Sequence, residues 1–430
     1  MSEEKVRGIT KIAVKGFKSI AEECEIDIRP LTILAGANSS GKSSIMQPLL
    51  MLKQTLEATY DPGPLLIDGP NVQFTLAEQF LSKLVGKERT DHFQIRIETH
   101  DYEFSSTTTT FRKGANGIEL VKMTQTESKQ FLPSLPPRNM TLYPEMLPEE
   151  IKSLVDQHWI PRGLEAVRRS RCFLRFESHD GHTSQNVTYN LEYHIFNSIH
   201  LPGLRGNPER TYKPANTGPQ YPGTFEHYVA SLIHEWQETG DDRLKTLADA
   251  LYTLGLTGRV GTKKIDDTRI ELQVGSLLHR GTGETDMVSI ADVGYGVSQV
   301  LPVLVALIVA RPGRLVYLEQ PELHLHPRAQ VALAQVLADA AKRGVRVVVE
   351  THSSLLLLAV QTLVAEGSLP PELVKLHWFT RGENGATKID TADLDETGAY
   401  GDWPEDFDDV DLKAQSRYIK AAQSRLAEKT

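Results

Sequence analysis

Residues 31–43 read LTILAGANSSGKS. Leu31 to Ala35 is a short apolar run with Gly36 behind it, the pattern of a buried strand. From about Lys42 to Ala58, apolar residues recur at helical spacing, which predicts a helix. The turn between them, Gly36-Ala37-Asn38-Ser39-Ser40-Gly41-Lys42-Ser43 with Ser44 after it, matches the phosphate-binding pattern GxxxxGK[ST]. Glycines let such a backbone curl until its N–H groups face a phosphate, and the helix behind adds its positive N-terminus. Lys42 then supplies a charge for β- and γ-phosphates, and the Ser43 hydroxyl a ligand for Mg²⁺. Pro48 lies inside the predicted helix, where a lost backbone hydrogen bond should kink or loosen it.

The final third of the chain carries three more signals. Arg314-Leu-Val-Tyr-Leu-Glu319-Gln320-Pro321-Glu322 is an apolar strand ending in an acid. A phosphate-loop ATPase holds its Mg²⁺ with such an acid, expected here from the strand beside the loop strand. Asp292-Val-Gly294-Tyr-Gly296-Val-Ser298-Gln299 is a small-residue turn before a helix expected to begin near Val300, and is a second anion site in kind. Glu350-Thr351-His352-Ser353-Ser354 ends another apolar strand, with His352 able to touch a γ-phosphate. Helices and strands alternate here (helix 300–310, strand 314–319, helix 330–343, strand 345–350), which predicts a parallel sheet with covering helices.

In this order and spacing the motifs resemble the C-terminal half of an ATP-binding-cassette ATPase. The resemblance is to the soluble SMC, RecF and OLD-like branch rather than to transporters. The opening Ile12-Ala-Val-Lys-Gly-Phe17-Lys18-Ser19-Ile20 looks like that branch's first strand. GVSQVLPVL, EQPELHLHP and ETHS together look like a bacterial subfamily found in anti-phage defence operons. WPEDFDD fits a short tail domain of some members. The resemblance covers roughly residues 8–85 and 285–410.

That resemblance implies an α/β fold: an ABC-type head with a mixed central sheet, a helical covering lobe, an inserted α+β region and a short tail. The implied divisions are 1–95 and 285–390 for the head, 96–284 for the insert and 391–430 for the acidic tail. Phe17 and Lys18 should lie near the nucleotide. Gly294, Gly296, Ser298 and Gln299 match the signature that binds the γ-phosphate of a partner chain, so a head-to-tail homodimer or higher oligomer is implied. Glu319 matches the Mg²⁺-supporting acid and His352 the switch histidine. Gln79 is the candidate Mg²⁺ glutamine, with Gln73 and Gln47 as competitors. The usual catalytic glutamate is replaced by Gln320, which cannot accept a proton. Glu322 is the candidate substitute, and slow hydrolysis follows as an expectation. The implied ligands are ATP and Mg²⁺. The implied role is a sensor or switch acting on an effector, a nuclease or toxin from the same operon. A DNA-clamping repair ATPase and a self-contained ATP-dependent nuclease are the alternatives.

Composition agrees with a globular, intracellular chain. Of 430 residues, 40% are apolar and 24% charged, ordinary values for packed domains. Two cysteines, Cys24 and Cys172, rule out a disulfide scaffold and a Cys-rich zinc site. MSEEKVRG shows no secretory signal and no apolar run is long enough to span a bilayer, so a cytoplasmic location without membrane is expected. The nine acids between Asp393 and Asp411 account for the whole net charge of −9, so the body is neutral and open to nucleic acid. Arg168, Arg169 and Arg171, with Arg205 and Arg210 beside Tyr212 in the LPGLRGNPERTY loop, are candidate phosphate-backbone contacts. The competing reading of 162–175 is a solvated or salt-bridged helix face.

Overall fold

The computed structural model describes residues 7–101, 103–115, 117–129, 138–158, 163–275 and 286–401. WPEDFDD and residues 130–137 lie outside these residues.

Strands β1 (Gly8–Lys15) and β2 (Cys24–Asp27) precede β3 (Leu31–Gly36), and α1 (Lys42–Glu57) leaves the phosphate loop. β4 (His92–His100), β5 (Glu103–Gly114), β6 (Gly117–Lys129) and β7 (Arg138–Leu142) form an antiparallel meander. Next come α2 (Pro148–His158), β8 (Leu164–Ser170), β9 (Phe173–Ser178), β10 (Ser184–Gln185), α3 (Tyr189–Phe196) and β11 (Ile199–Leu201). α4 (Glu226–Thr239) and α5 (Asp242–Thr253) lead into the small sheet β12 (Val260–Asp266), β13 (Arg269–Gly275) and β14 (Met287–Ser289). The described residues close with α6 (Tyr295–Val309), β15 (Leu315–Glu319), α7 (Pro327–Lys342), β16 (Arg346–Glu350), α8 (Ser354–Ala365), β17 (Val374–Arg381) and β18 (Thr387–Ala392).

The central sheet has the order β11-β15-β16-β3-β17-β18, parallel throughout except for β18. Its strands alternate between two cores, as period-two side chains must. Val316, Leu318, Val347 and Val349 point into a core shared with α4 to α8. Leu315, Tyr317, Val348 and Leu34 point into the other, which holds α1 and the antiparallel sheet β2-β1-β4-β5-β6-β7. Both faces are covered, which is why β3 and β16 are apolar runs rather than alternating ones. The mixed α/β architecture is the one expected.

Several local expectations shift. β16 lies between β15 and β3, so the strand carrying Glu319 is not the neighbour of the loop strand. α6 begins at Tyr295 rather than near Val300, which puts Gly296, Ser298 and Gln299 inside the helix. Residues 164–178 form the hairpin β8–β9, not a helix, with Arg171 in the turn at φ 54°. α1 runs through Pro48 as one helix, held by burial from Ile45 to Thr55 on nearly every side. β4 pairs with β1 across the expected division at residue 95, and β11, from the expected insert, is an edge strand of the central sheet.

His377, on β17, is buried, with Nε2 3.0 Å from the Asp27 carbonyl and Nδ1 3.0 Å from Thr391 Oγ1. Burial pushes its pKa down to about 4. The unfolded chain binds that proton near pH 6.5 and the native chain does not, so stability falls as pH drops from 6.5 towards 4. Urea unfolding should lose about 2 kcal/mol between pH 7 and pH 5 from this group. His377→Gln should flatten that part of the profile.

Candidate nucleotide site

The loop is bounded by two glycines that have no alternative. Gly36 sits at φ 140°, and a Cβ there would lie 2.3 Å from the Phe379 carbonyl oxygen. Gly41, the residue before α1, sits at φ 110°, and its Cβ would lie 2.3 Å from Thr387 Oγ1. Between them the loop floors a cleft of about 530 Å³. Its walls add the cations Lys18, Lys83, Arg89 and Arg381, along with Gln47, Gln79, Gln320 and His352. Glu350 is the one carboxylate among the described residues of those walls.

Lys42 is turned onto its own loop, donating to the carbonyls of Gly36 (3.0 Å) and Ala37 (2.8 Å). Burial pushes its ammonium below the usual value, against the pull of Glu350. Arg381 donates to the Ser39 carbonyl, 3.2 Å away, from the end of β17. The Ser43 hydroxyl donates to Glu350 Oε1 (3.0 Å), and Tyr317 OH to Glu350 Oε2 (2.9 Å). Burial, reinforced by the Glu319 charge, pushes the Glu350 carboxyl up. Ser40 Oγ and Gln47 Oε1 are buried with no partner. Cations, loop N–H groups and unpartnered oxygens of this kind fit a magnesium–triphosphate.

The other predicted residues fall differently. Glu319 stands beside Glu350 in register. Its Oε1 faces His200 Nε2 at 3.1 Å and its Oε2 accepts from Gly203 N–H at 3.2 Å. Burial pushes this carboxyl up, but the His200 bond and charge outweigh it, and it lies below the usual value. Gln320 reaches the cleft at φ 44°. Glu322 is buried away from it, its Oε1 accepting from Thr351 Oγ1 (2.6 Å) and His352 N–H (3.1 Å). Burial raises its pKa. Burial, and then the charge of Lys42, lower that of His352, which keeps the imidazole neutral near pH 7. The side-chain oxygen of Gln79 is already taken by the N–H groups of Thr75 and Leu76. Gln47, one turn beyond Ser43, has its oxygen open, and Gln73 is not in the walls. Lys18 is in the cleft, 4.8 Å above the Phe74 ring. Phe17 is fully covered among Phe74, Phe80 and Phe93 and does not reach it.

Gly294 and Tyr295 are exposed at the start of α6, outside the cleft walls. Ser298 and Gln299 are buried, donating to the carbonyls of Tyr295 and Gly206. The arginines do not form one basic surface. Arg169 makes a two-bond pair with Asp61, Arg205 is buried and donates to the Gln320 carbonyl, and Arg210 pairs with Asp292. Arg171 caps the end of α1, donating to the carbonyls of Thr55 (2.7 Å) and Leu56 (2.9 Å). Arg168 is exposed, 3.8 Å from Glu177. Sequence reasoning quoted Glu350 but gave it no role, and missed Tyr317, His200 and Arg381. A strand ending in a charged residue beside the loop strand was the available signal for Glu350.

Residues 31–359 match the family model described as AAA domain, putative AbiEii toxin, Type IV TA system. The chain belongs to that family. It is an AAA-domain family, and nucleotide binding is the property of that class. Solved structures similar to it include three SMC heads. One is an SMC head bound to the C-winged helix domain of ScpA (12% identical, covering 90% of this chain and 98% of that one, TM-score 0.48). Another is the SMC head domain from Thermotoga maritima (11% identical, 89% and 98% covered, TM-score 0.38). The third is an Smc head domain with an extended coiled coil bound to the C-terminal domain of ScpA, derived from Pyrococcus furiosus (11%, 97% and 100%, TM-score 0.45). A search of the curated proteins found no match. No helix among the described residues is long and apolar enough to cross a membrane.

Arg171→Ala should lower unfolding free energy by about 1–3 kcal/mol, since two helix-end carbonyls lose a charged donor. Arg168→Ala should stay within about 0.5 kcal/mol. Urea melts of the two variants beside the parent check both.

Proposed function

We propose that this chain binds Mg-ATP in the cleft between the Gly36–Ser43 loop and the ends of β15 and β16. Two chains then close head to tail over two nucleotides, and the closed state gates a partner effector in anti-phage defence. The observation that carries this reading is the cleft itself: Lys18, Lys42, Lys83, Arg89 and Arg381 converge on it against Glu350, the one carboxylate among the described wall residues. Such an excess of cations around a glycine loop suits a triphosphate. Mg²⁺, held at Ser43, would supply neutralisation of the β- and γ-phosphate charge. Lys42 would leave the Gly36 and Ala37 carbonyls for those phosphates, and His352 would stand ready as a neutral donor at the γ-position.

The two-chain arrangement is supported by the position of the Gly294 turn. It is exposed and outside the walls of its own cleft, so it is available to another chain's nucleotide. With Ser298 and Gln299 buried, the groups it would offer are the backbone N–H groups opening α6. Slow turnover is supported by Gln320, whose amide takes no proton, and by Glu322, whose Oε1 is occupied by Thr351 and His352. The effector is inferred from the family description, which names a toxin and a toxin–antitoxin system. The protein would act inside the cell.

Lys42→Ala should weaken ATP binding by at least about tenfold in calorimetry, through loss of a charged phosphate contact. Tyr295→Glu should leave ATP binding by the single chain intact and abolish ATP-dependent dimers in light scattering, because a carboxylate would face phosphate. A parent chain that stays monomeric at saturating ATP would overturn the two-chain reading. Many turnovers per second without any partner would overturn the switch. Purification of the tagged chain from its own operon should retain an effector protein in a nucleotide-dependent way.

A further inference from the structure

We propose that Glu350 is the carboxylate that ligates the magnesium ion beside Ser43, in the place the sequence assigned to Glu319. This rests on the nucleotide reading of the cleft and names the residue that completes its metal seat.

Ser43 and Glu350 come from distant parts of the chain, the first turn of α1 and the last residue of β16, and meet at 3.0 Å between Oγ and Oε1. Two ligands on adjacent corners of a magnesium octahedron, each about 2.1 Å from the ion, stand about 3.0 Å apart. The pair is therefore already at the spacing the ion needs. The hydroxyl spends its proton on the carboxylate, which leaves its oxygen lone pairs for a cation. The opposite carboxylate oxygen is fixed by Tyr317 OH at 2.9 Å, and Tyr317 is itself fully buried. Glu350 therefore has one orientation, which is what an ion with strict geometry requires.

The neighbouring acids do not line the cleft. Both oxygens of Glu319 are engaged, by His200 and by the Gly203 N–H, and the residue is absent from the cleft walls. Glu322 is absent from the cleft walls, its Oε1 held by Thr351 and the His352 N–H and its Oε2 buried without a partner. Gln320 reaches the cleft without a charge. Lys42 does not neutralise Glu350 by contact, since its ammonium is bonded to loop carbonyls. Two carboxylates on adjacent strands at one sheet end are costly unless a cation joins them. A divalent ion at Ser43 answers that cost for Glu350, while His200 answers it for Glu319.

The test is titration of the full-length chain with a fluorescent ATP analogue, in EDTA and in excess Mg²⁺, with Mn²⁺ binding followed by electron paramagnetic resonance. The parent should bind more tightly with Mg²⁺. Glu350→Gln should bind at least as tightly as the parent in EDTA, since a carboxylate no longer faces the metal-free triphosphate, and lose at least about tenfold of the Mg²⁺-dependent gain, together with the bound Mn²⁺ signal. Tyr317→Phe, which leaves the carboxylate in place but unfixed, should show a smaller loss in the same direction. Should Glu350→Gln fail to fold, as judged by circular dichroism, Tyr317→Phe decides. Parent-like Mg²⁺ dependence and Mn²⁺ signal in the folded variants overturn the assignment to Glu350. A parent chain that binds no ATP under either condition overturns the nucleotide reading instead.

Discussion

The carbonyl of Phe379 stands where a side chain on residue 36 would have to go, and the site is built around that contact. β17 runs parallel to β3 as far as the pair Phe379–Gly36, so the loop can leave the sheet at that point if the residue there has no Cβ. Thr387, from the next strand, excludes a side chain at Gly41 in the same way, and its hydroxyl donates to the Ser40 carbonyl. One hairpin late in the chain thereby clamps both ends of the loop. The clamp fixes where α1 starts, and with it the positions of Lys42 and Ser43.

The opposite wall of the cleft is set by strand register. Glu319 and Glu350 are direct partners across β15 and β16, and period-two alternation turns both towards the layer that holds α1. A one-residue slip of either strand would turn its acid into the other core. The two carboxylates are kept distinct by their surroundings. Glu319 takes His200, which lies stacked on Tyr317 with centroids 5.3 Å apart, whereas Glu350 takes hydroxyls alone. The same environment that makes one acid a partner for histidine leaves the other facing the loop.

The loop after β11 joins these groups to α6. Gly203 holds Glu319, Arg205 holds the Gln320 carbonyl, the Gly206 carbonyl accepts from Gln299, and Arg210 pairs with Asp292. Residues that sequence reading treated as surface cations for nucleic acid are thus fasteners between the acid strand and the exposed Gly294 turn. Each is bonded within the molecule, as are Arg169, to Asp61, and Arg171, at the end of α1.

Features that depend on neighbours in the chain were legible before any fold was known. These are the strand–loop–helix at 31–57, the apolar strands ending at Glu319 and Glu350, and the helices between them. Each is written in local periodicity and in glycines that permit one backbone path, and together they were enough to name the family. The features that depend on which strand lies beside which were decided by tertiary structure. Nothing local to Glu319 states that β16 will intervene before β3, and nothing local to Glu350 states that Ser43 will lie 3.0 Å away. Phe17 reads as a site residue from its place in a motif, but Phe74, Phe80 and Phe93 pack around it and claim it for the core. The arginines read as a basic patch because sequence counts charges, and only folding brings the carbonyls and carboxylates that consume them.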